Sequence, residues 1–249
     1  MANLFRTSNP ALNQKAFENA GVITGRAMTI EGTINRTGVL LLCVIATAAW
    51  SWGRFQGTHD PSAVALPMLV GVFGGFIMAF VTIFKKTWSP VTAPIYALLE
   101  GLALGGISAM FNLKYPGIAI QAVGLTFAVL IVMLLAYRSG LIRATEKFKL
   151  GVVAATGAIA LVYIASMVLG FFHINMSFLT SASPLSIGIS VVIVIVAALN
   201  LILDFDFIES GAAAGAPQYM EWYGAFGLMV TLIWLYLEIL RLLSKLNRR

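Results

Sequence analysis

Ten acidic residues occur among the 249 of this chain, and half of them stand in stretches that are otherwise hydrocarbon. Asp204, Asp206 and Glu209 close the run VVIVIVAALNLILDFDFIE, Glu100 interrupts APIYALLEGLALGGISAMF, and Glu238 interrupts GLMVTLIWLYLEILRLL. A carboxylate at membrane depth costs about 2.5–3.5 kcal/mol on insertion scales. Such groups face a protein interior or water, find a partner, and mark proton or ion paths. The chemistry open to them is proton exchange and the holding of hard cations, which take oxygen ligands.

Spacing separates the five. Asp204 and Asp206 are about 200° apart on a helix, so both point to one axis only if the helix ends there. Asp206 and Glu209 share a face, which suits interfacial water, with Glu209 as a polar helix end. Asp204 follows Leu201, Ile202 and Leu203 directly and is expected to face the bundle. Acids at a helix carboxyl end oppose the macrodipole and need a compensating reason to be there. Glu100 has no Lys or Arg within four residues; it must be protonated, be met from another helix, or touch water. Glu238 has Arg241 three residues on, so an intrahelical ion pair, worth about 0.2–0.5 kcal/mol when exposed, competes with a pore-lining role.

The elements that must position these groups are membrane spans. The chain is 59% hydrophobic and 10% charged, against about 25% charged in typical soluble domains. Seven apolar stretches have the length a crossing needs: residues 37–54, 66–84, 92–111, 117–136, 151–172, 185–205 and 223–244. The expected architecture is all-α, a polytopic integral membrane protein in which residues 37–249 form a seven-helix transmembrane domain. Residues 1–36 form a polar cytoplasmic amino-terminal segment without the pattern of a cleavable signal; within it ALNQKAFENAG suits a short helix, lying on the membrane or plugging a cavity, or a solvated tail. Between the last two spans, SGAAAGAP reads as a loop.

An inside amino terminus places Arg26, Arg36, Lys85, Lys86, Arg138, Arg143, Lys147 and Lys149 on the cytoplasmic side with Arg6 and Lys15, and leaves the smaller basic share outside, as the positive-inside rule asks. The basic tail RLLSKLNRR lies outside if the last segment crosses and inside if it re-enters. The net charge of +6 therefore belongs to membrane topology and anionic headgroups, not to nucleic acid. Cys43 is the only cysteine, which excludes an intrachain disulfide. Gly71-xxx-Gly75 and Gly101-xxx-Gly105 are small-residue ridges for close helix packing in lipid, and Glu100 lies off the second ridge.

Enzymatic chemistry is not expected. His59 and His173 are the only histidines and stand in no metal motif. There is no nucleophile elbow and no P-loop, Ser108 and Ser166 have no mid-span histidine, and the last span holds a lysine, Lys245, only at its end.

The third-span APIYALLEGLALGGIS, the sixth-span ending LILDFDFIE, the last-span LYLEILRLLSKL and an NPAL…MTIEGT-type amino-terminal segment resemble the Bax inhibitor-1 family, in its bacterial branch, over nearly the whole chain. The resemblance implies a bundle in which six helices surround the last. It also implies a pH-sensitive calcium leak of the bacterial inner membrane, governed by an acidic pair on the sixth and seventh helices. Asp204 matches the Asp of the family's sixth-helix Asp-Thr-Gln-like motif, with Asp206 at the Gln position, and Glu238 matches the Asp of its final Leu-aromatic-Leu-Asp motif. The stretch between the two acids is longer than usual by roughly two helical turns, and no basic residue falls between 66 and 84. A straight last crossing sets Glu238 far from Asp204; a fold-back of 206–222 brings the two together.

Paired carboxylates share a proton because both cannot ionise cheaply. A shared proton would tie the last two helices, and its loss would open an oxygen-rich site for Ca²⁺. The expectation is therefore a multi-pass protein of the cell membrane whose partners are lipid, protons and calcium, with Asp204, Glu238, Glu100 and Asp206 as ion- or proton-binding residues. Asp204 and Glu238 would be weak calcium ligands, with no cofactor beyond transient calcium. Two other readings stay open: a membrane interaction protein that regulates a partner such as a membrane protease, and a secondary transporter, for which no internal repeat is visible.

Overall fold

The computed structural model describes residues 26–58, 60, 62–172, 176 and 181–248; the expected helix in ALNQKAFENAG and both histidines lie outside them. Seven helices long and apolar enough to cross a membrane follow one another: α1 (Ile30–Thr58), α2 (Ser62–Phe84), α3 (Ser89–Lys114), α4 (Ile118–Arg138), α5 (Glu146–Phe171), α6 (Pro184–Ala213) and α7 (Tyr219–Leu246). A 3₁₀ turn, Lys86–Trp88, joins α2 to α3. All seven expected spans are present. Most run past the apolar stretch that identifies them, because polar end residues are helical too: Glu31, Asn35 and Arg36 belong to α1, and Asp206 and Glu209 to α6.

The departure is at SGAAAGAP, expected as a loop. Ser210 to Ala213 continue α6, as alanine, the best helix former, allows. The helix stops where Gly215 takes φ 65°, the left-handed conformation that glycine accepts. Ala216 N–H then donates to Gly211 O (3.1 Å) and Gly215 N–H to Ala212 O (3.1 Å), the paired bonds of a Schellman turn. The chain enters α7 four residues after Gly215. Helix starts are equally local: the Thr145 side chain accepts Phe148 N–H before α5, and Ser183 accepts Ser186 N–H before α6, where Pro184 stands at the first position.

Successive helices alternate in direction. α1, α3, α5 and α7 begin at one end of the bundle, called the near end, and finish at the far end. Cross-links agree with that assignment: Ser89 Oγ donates to Tyr219 O at the near end (2.9 Å), and Arg248 Nε donates to Tyr115 Oη at the far end (3.1 Å). The last segment is a full helix of 28 residues, so its basic tail lies at the end opposite to Arg26, which is the crossing alternative.

Packing follows the glycines. A Cβ on Gly71 would meet Leu99 O and Ala103 N of α3, and one on Gly101 or Gly105 would strike Val44 O, Thr47 Oγ1 or Ala48 O of α1. Both ridges therefore let α3 lie backbone to backbone against α2 on one side and α1 on the other, as close packing in lipid requires. α7 is the most enclosed helix: 67% of its most apolar stretch is buried, against 6% in α5. It packs against α1, α3, α4 and α6. Tyr96 of α3 meets Phe226 of α7 edge to face, with centroids 4.9 Å apart. The outward faces carry exposed Leu66, Phe73, Phe76, Ile120, Leu161 and Phe171, an apolar exterior that contacts the bilayer.

The two kinds of glycine should separate in a stability measurement. Gly101→Leu should lower the thermal unfolding midpoint of the detergent-solubilised protein, with an overpacking cost of about 1–3 kcal/mol or more. Gly157→Ala, where a Cβ meets nothing within 4 Å, should leave it unchanged or slightly raised.

Candidate functional site

The enclosed acids stand on different helices and at different depths. Asp204 on α6 is 1% exposed and Glu238 on α7 is 2% exposed. At about 1.5 Å per residue, Asp204 lies about 13 Å from the Ala213 end of α6 and Glu238 about 28 Å from the Tyr219 start of α7. Because the two helices are antiparallel neighbours joined by a short turn, the acids differ in level by about 15 Å. Buried Ala197 and Leu201 of α6 and Leu228, Leu232 and Leu235 of α7 fill the levels between. The straight-crossing alternative is the one observed: α6 does not fold back, and the two carboxylates do not share a proton in this conformation.

Glu238 has its own partners. Its Oε1 accepts from Arg241 Nη1 (2.8 Å) and from Tyr163 Oη of α5 (2.8 Å), and Arg241 Nη1 also donates to that hydroxyl. The guanidinium lies 5.1 Å from the centroid of the Tyr163 ring. The intrahelical pair is therefore real, and Tyr163 of a second helix, α5, completes it. Its Oε2 is buried without a hydrogen-bond partner. Four residues beyond Arg241, Lys245, 3% exposed, donates to Ser190 Oγ (2.7 Å) and Ser186 O (3.2 Å) of α6. The far-end half of α7 thus carries one enclosed acid and two cations within two turns.

Asp206 departs from the expected placing in interfacial water. Its carboxylate pairs with Lys149 of α5 at 2.7 Å, and Lys149, which Glu146 also approaches at 3.7 Å, is itself 4% exposed. The cation that compensates an acid near the carboxyl end of α6 comes from another helix. In the sequence Lys149 stands only among the cytoplasmic-side charges, just before an apolar run. Glu209 accepts a hydrogen bond from Tyr137 Oη of α4 and is exposed, as its reading as a helix end requires.

Glu100, half-buried on α3, turns away from the Gly101 ridge as expected. Its carboxyl lies against Gly75 of α2, where a Cβ would come 2.8 Å from Oε1, with Tyr96 one turn earlier on the same helix. Gly75 is thus space for a carboxylate as well as a packing notch.

A third fully buried acid, missed in the sequence, is Glu221 in the first turn of α7, 3% exposed. Its Oε1 accepts from Thr29 N–H (3.1 Å) and Thr29 Oγ1 (2.9 Å), and the same hydroxyl accepts Gly32 N–H (2.9 Å). In a capping box, the residue three after the cap reaches back to the cap N–H. Here that residue is Gly32, which has no side chain, and Glu221 of another helix takes its role in the space a Cβ would occupy. Arg36 lies 3.8 Å from Oε2 and 4.9 Å from the centroid of the Trp222 ring. Backbone bonds from Met28 N to Ala216 O (2.6 Å) and from Gln218 N to Arg26 O (3.1 Å) flank it. The start of α1 is stitched to the α6–α7 turn. Only the combination Thr29-xx-Gly32 with a later buried Glu could have shown this, and its two halves are 192 residues apart.

Among the described residues, no group of three or more His, Cys, Asp or Glu is placed to hold a metal ion. A family model described as Bax inhibitor 1 like matches residues 9–248. No curated protein and no solved structure matches the chain.

The cross-helix pair should show in a double-mutant cycle. Lys149→Met should destabilise the protein to thermal unfolding, and adding Asp206→Asn should restore part of the loss, with a coupling of about 0.5–3 kcal/mol. The Glu221 stitch should show in hydrogen exchange. Gly32→Ala, which expels the carboxylate, should speed amide exchange at residues 28–33 by about tenfold or more, since hydrogen bonds to a charged group are worth about 1.5–3 kcal/mol.

Proposed function

We propose that this chain, which belongs to the Bax inhibitor 1 like family, is a passive, pH-sensitive cation leak of the cell membrane that conducts Ca²⁺ and is not an enzyme. The observation that carries the reading is the enclosure of Asp204 and Glu238, at 1% and 2% exposure, inside a multi-pass membrane protein. Each costs about 2.5–3.5 kcal/mol at membrane depth, and ionisable residues placed there commonly mark ion or proton paths.

In this reading the near end, with Arg26, Arg36, Lys85, Lys86, Arg138 and Arg143, faces the cytoplasm. Glu100 and Asp204 lie at similar depth from that end, and Glu238 lies nearer the far end. A cation crossing along α6 and α7 would meet Asp204 and Glu238 in turn. The apolar levels between them close the path, so conduction needs α6 and α7 to part there. Protons compete with the cation at each carboxylate. Low pH therefore favours the neutral, closed bundle, and rising pH favours the charged form that binds Ca²⁺. Arg241 and Tyr163 hold Glu238 until a cation replaces them, while Asp206, neutralised by Lys149, flanks the path.

A second reading is favoured by α5. It packs only lightly on α6 and leaves Leu161, Ile164, Met167 and Phe171 exposed, a face that suits a membrane-protein partner. Such a regulator would need no flux of its own, and partner capture that survives neutralisation of Glu100, Asp204 and Glu238 would favour it.

Purified protein in sealed liposomes loaded with a Ca²⁺ indicator decides between them. The leak reading expects flux that rises with pH and falls roughly tenfold or more in Asp204→Asn, because charge at membrane depth is worth at least ~2 kcal/mol. Asp204→Glu should retain part of it. No flux at any pH, or flux indifferent to Asp204→Asn in a protein that melts normally, would reject the leak.

A further inference from the structure

Lys245 stands in the last turn of α7 and is 3% exposed. A lysine so near a helix end ordinarily extends its ammonium to the headgroup level. Here the side chain turns inward, and its Nζ donates to Ser190 Oγ (2.7 Å) and Ser186 O (3.2 Å). These acceptors lie one turn apart on α6, on residues that are themselves buried. Both are neutral, and among the described residues no carboxylate lies within ion-pairing distance of the ammonium. Ser186 adds a second oxygen, Oγ, which is buried without a hydrogen-bond partner. The start of α6 thus holds oxygens, the ligand type of hard cations, and an ammonium is seated on two of them.

Position ties these oxygens to the acids. Lys245 follows Glu238 by about two helical turns, which puts both on one face of α7 with Lys245 about 10 Å nearer the far end. On α6, Ser186 precedes Asp204 by about five turns, so those two also share a face, and Ile193 and Ala197 between them are buried. Ser186 and Lys245 each lie about 40 Å along their helices from the near end, at one level. A cation leaving Asp204 and Glu238 for the far end along α6 and α7 therefore arrives at oxygens that a positive charge already occupies. Like charges repel more strongly where less water lies between them.

We infer that Ser186 and Ser190 form a far-end subsite for a hard cation in the proposed leak, and that the Lys245 ammonium is a tethered plug filling it in the closed conformation. The plug presupposes the leak and adds a second control to it. The flexible stem of a lysine lets the ammonium swing out to the interface, which clears the oxygens for a cation released by Glu238.

The test compares Ca²⁺ flux into sealed liposomes of equal protein density, at a pH where the unaltered protein conducts. Lys245→Met and Lys245→Gln both lose the charge, and the second keeps a donor for Ser190; each should raise the flux several-fold. Lys245→Arg restores the charge and should bring the flux back towards the unaltered level. Gly101→Leu loosens the bundle away from this charge and should not show the rise. Lys245→Met combined with Asp204→Asn should conduct no better than Asp204→Asn alone. Flux unchanged or lowered in both neutral variants, while Asp204→Asn still lowers it, would overturn the plug and leave the leak standing. An equal rise in Lys245→Arg or Gly101→Leu would make Lys245 a mechanical tie and overturn the plug as well. No flux from any of these proteins would reject the leak and the plug together.

Discussion

The fold depends on how carboxylates are accommodated where water is scarce. Charge in a low dielectric is costly unless an opposite charge or several donors stand against it, and in this chain the partner comes from another helix more often than from the next turn. Lys149 of α5 meets Asp206 of α6, Tyr163 of α5 meets Glu238 of α7, and Thr29 before α1 meets Glu221 of α7. Each match fixes one helix against another. Where a partner is a backbone or a cramped interface, glycine makes the room, as at Gly32 and Gly75. The acids are thus tertiary fasteners, and in the proposed leak that role competes with ion binding: a carboxylate that accepts a cation must loosen what it ties.

α7 is where that competition concentrates. It is the most enclosed helix and carries Glu221 near one end and Glu238 towards the other, each bonded outward to a different neighbour. Motion of α7 within the bundle would cost bonds at both ends, to Thr29 before α1 and to Tyr163 of α5, which makes a closed conformation the natural resting state. In the proposed leak, deprotonation and cation binding at Asp204 and Glu238 provide the free energy for that motion.

Much of the architecture was legible because lipid imposes simple rules. Runs of apolar residues marked all seven helices, and the spacing of Gly71, Gly75, Gly101 and Gly105 marked close-packing ridges but not which helices meet at them. Helix ends were less legible: SGAA reads as loop by its small residues, yet alanine propensity and a Schellman turn at Gly215 extend α6 through it. The candidate site was legible in its acids and not in their partners. Arg241 could be seen beside Glu238 because it is three residues away. Lys149, Tyr163 and Thr29 could not be seen, since a partner on another helix leaves no local spacing to read. Depth gave the opposite lesson: with a straight α6 and a short turn, helix rise alone separates Asp204 from Glu238 by about 15 Å, and that arithmetic needed only the helix boundaries.

The central claim is that Asp204 itself takes the cation in exchange for a proton. Infrared difference spectroscopy of the purified protein in lipid, with ¹³C-labelled aspartate, reads this at the group concerned. The account predicts a Ca²⁺-induced shift of an aspartate carboxylate band that acid reverses and that Asp204→Asn abolishes. An unchanged aspartate spectrum on adding Ca²⁺, or the same shift in Asp204→Asn, would contradict it.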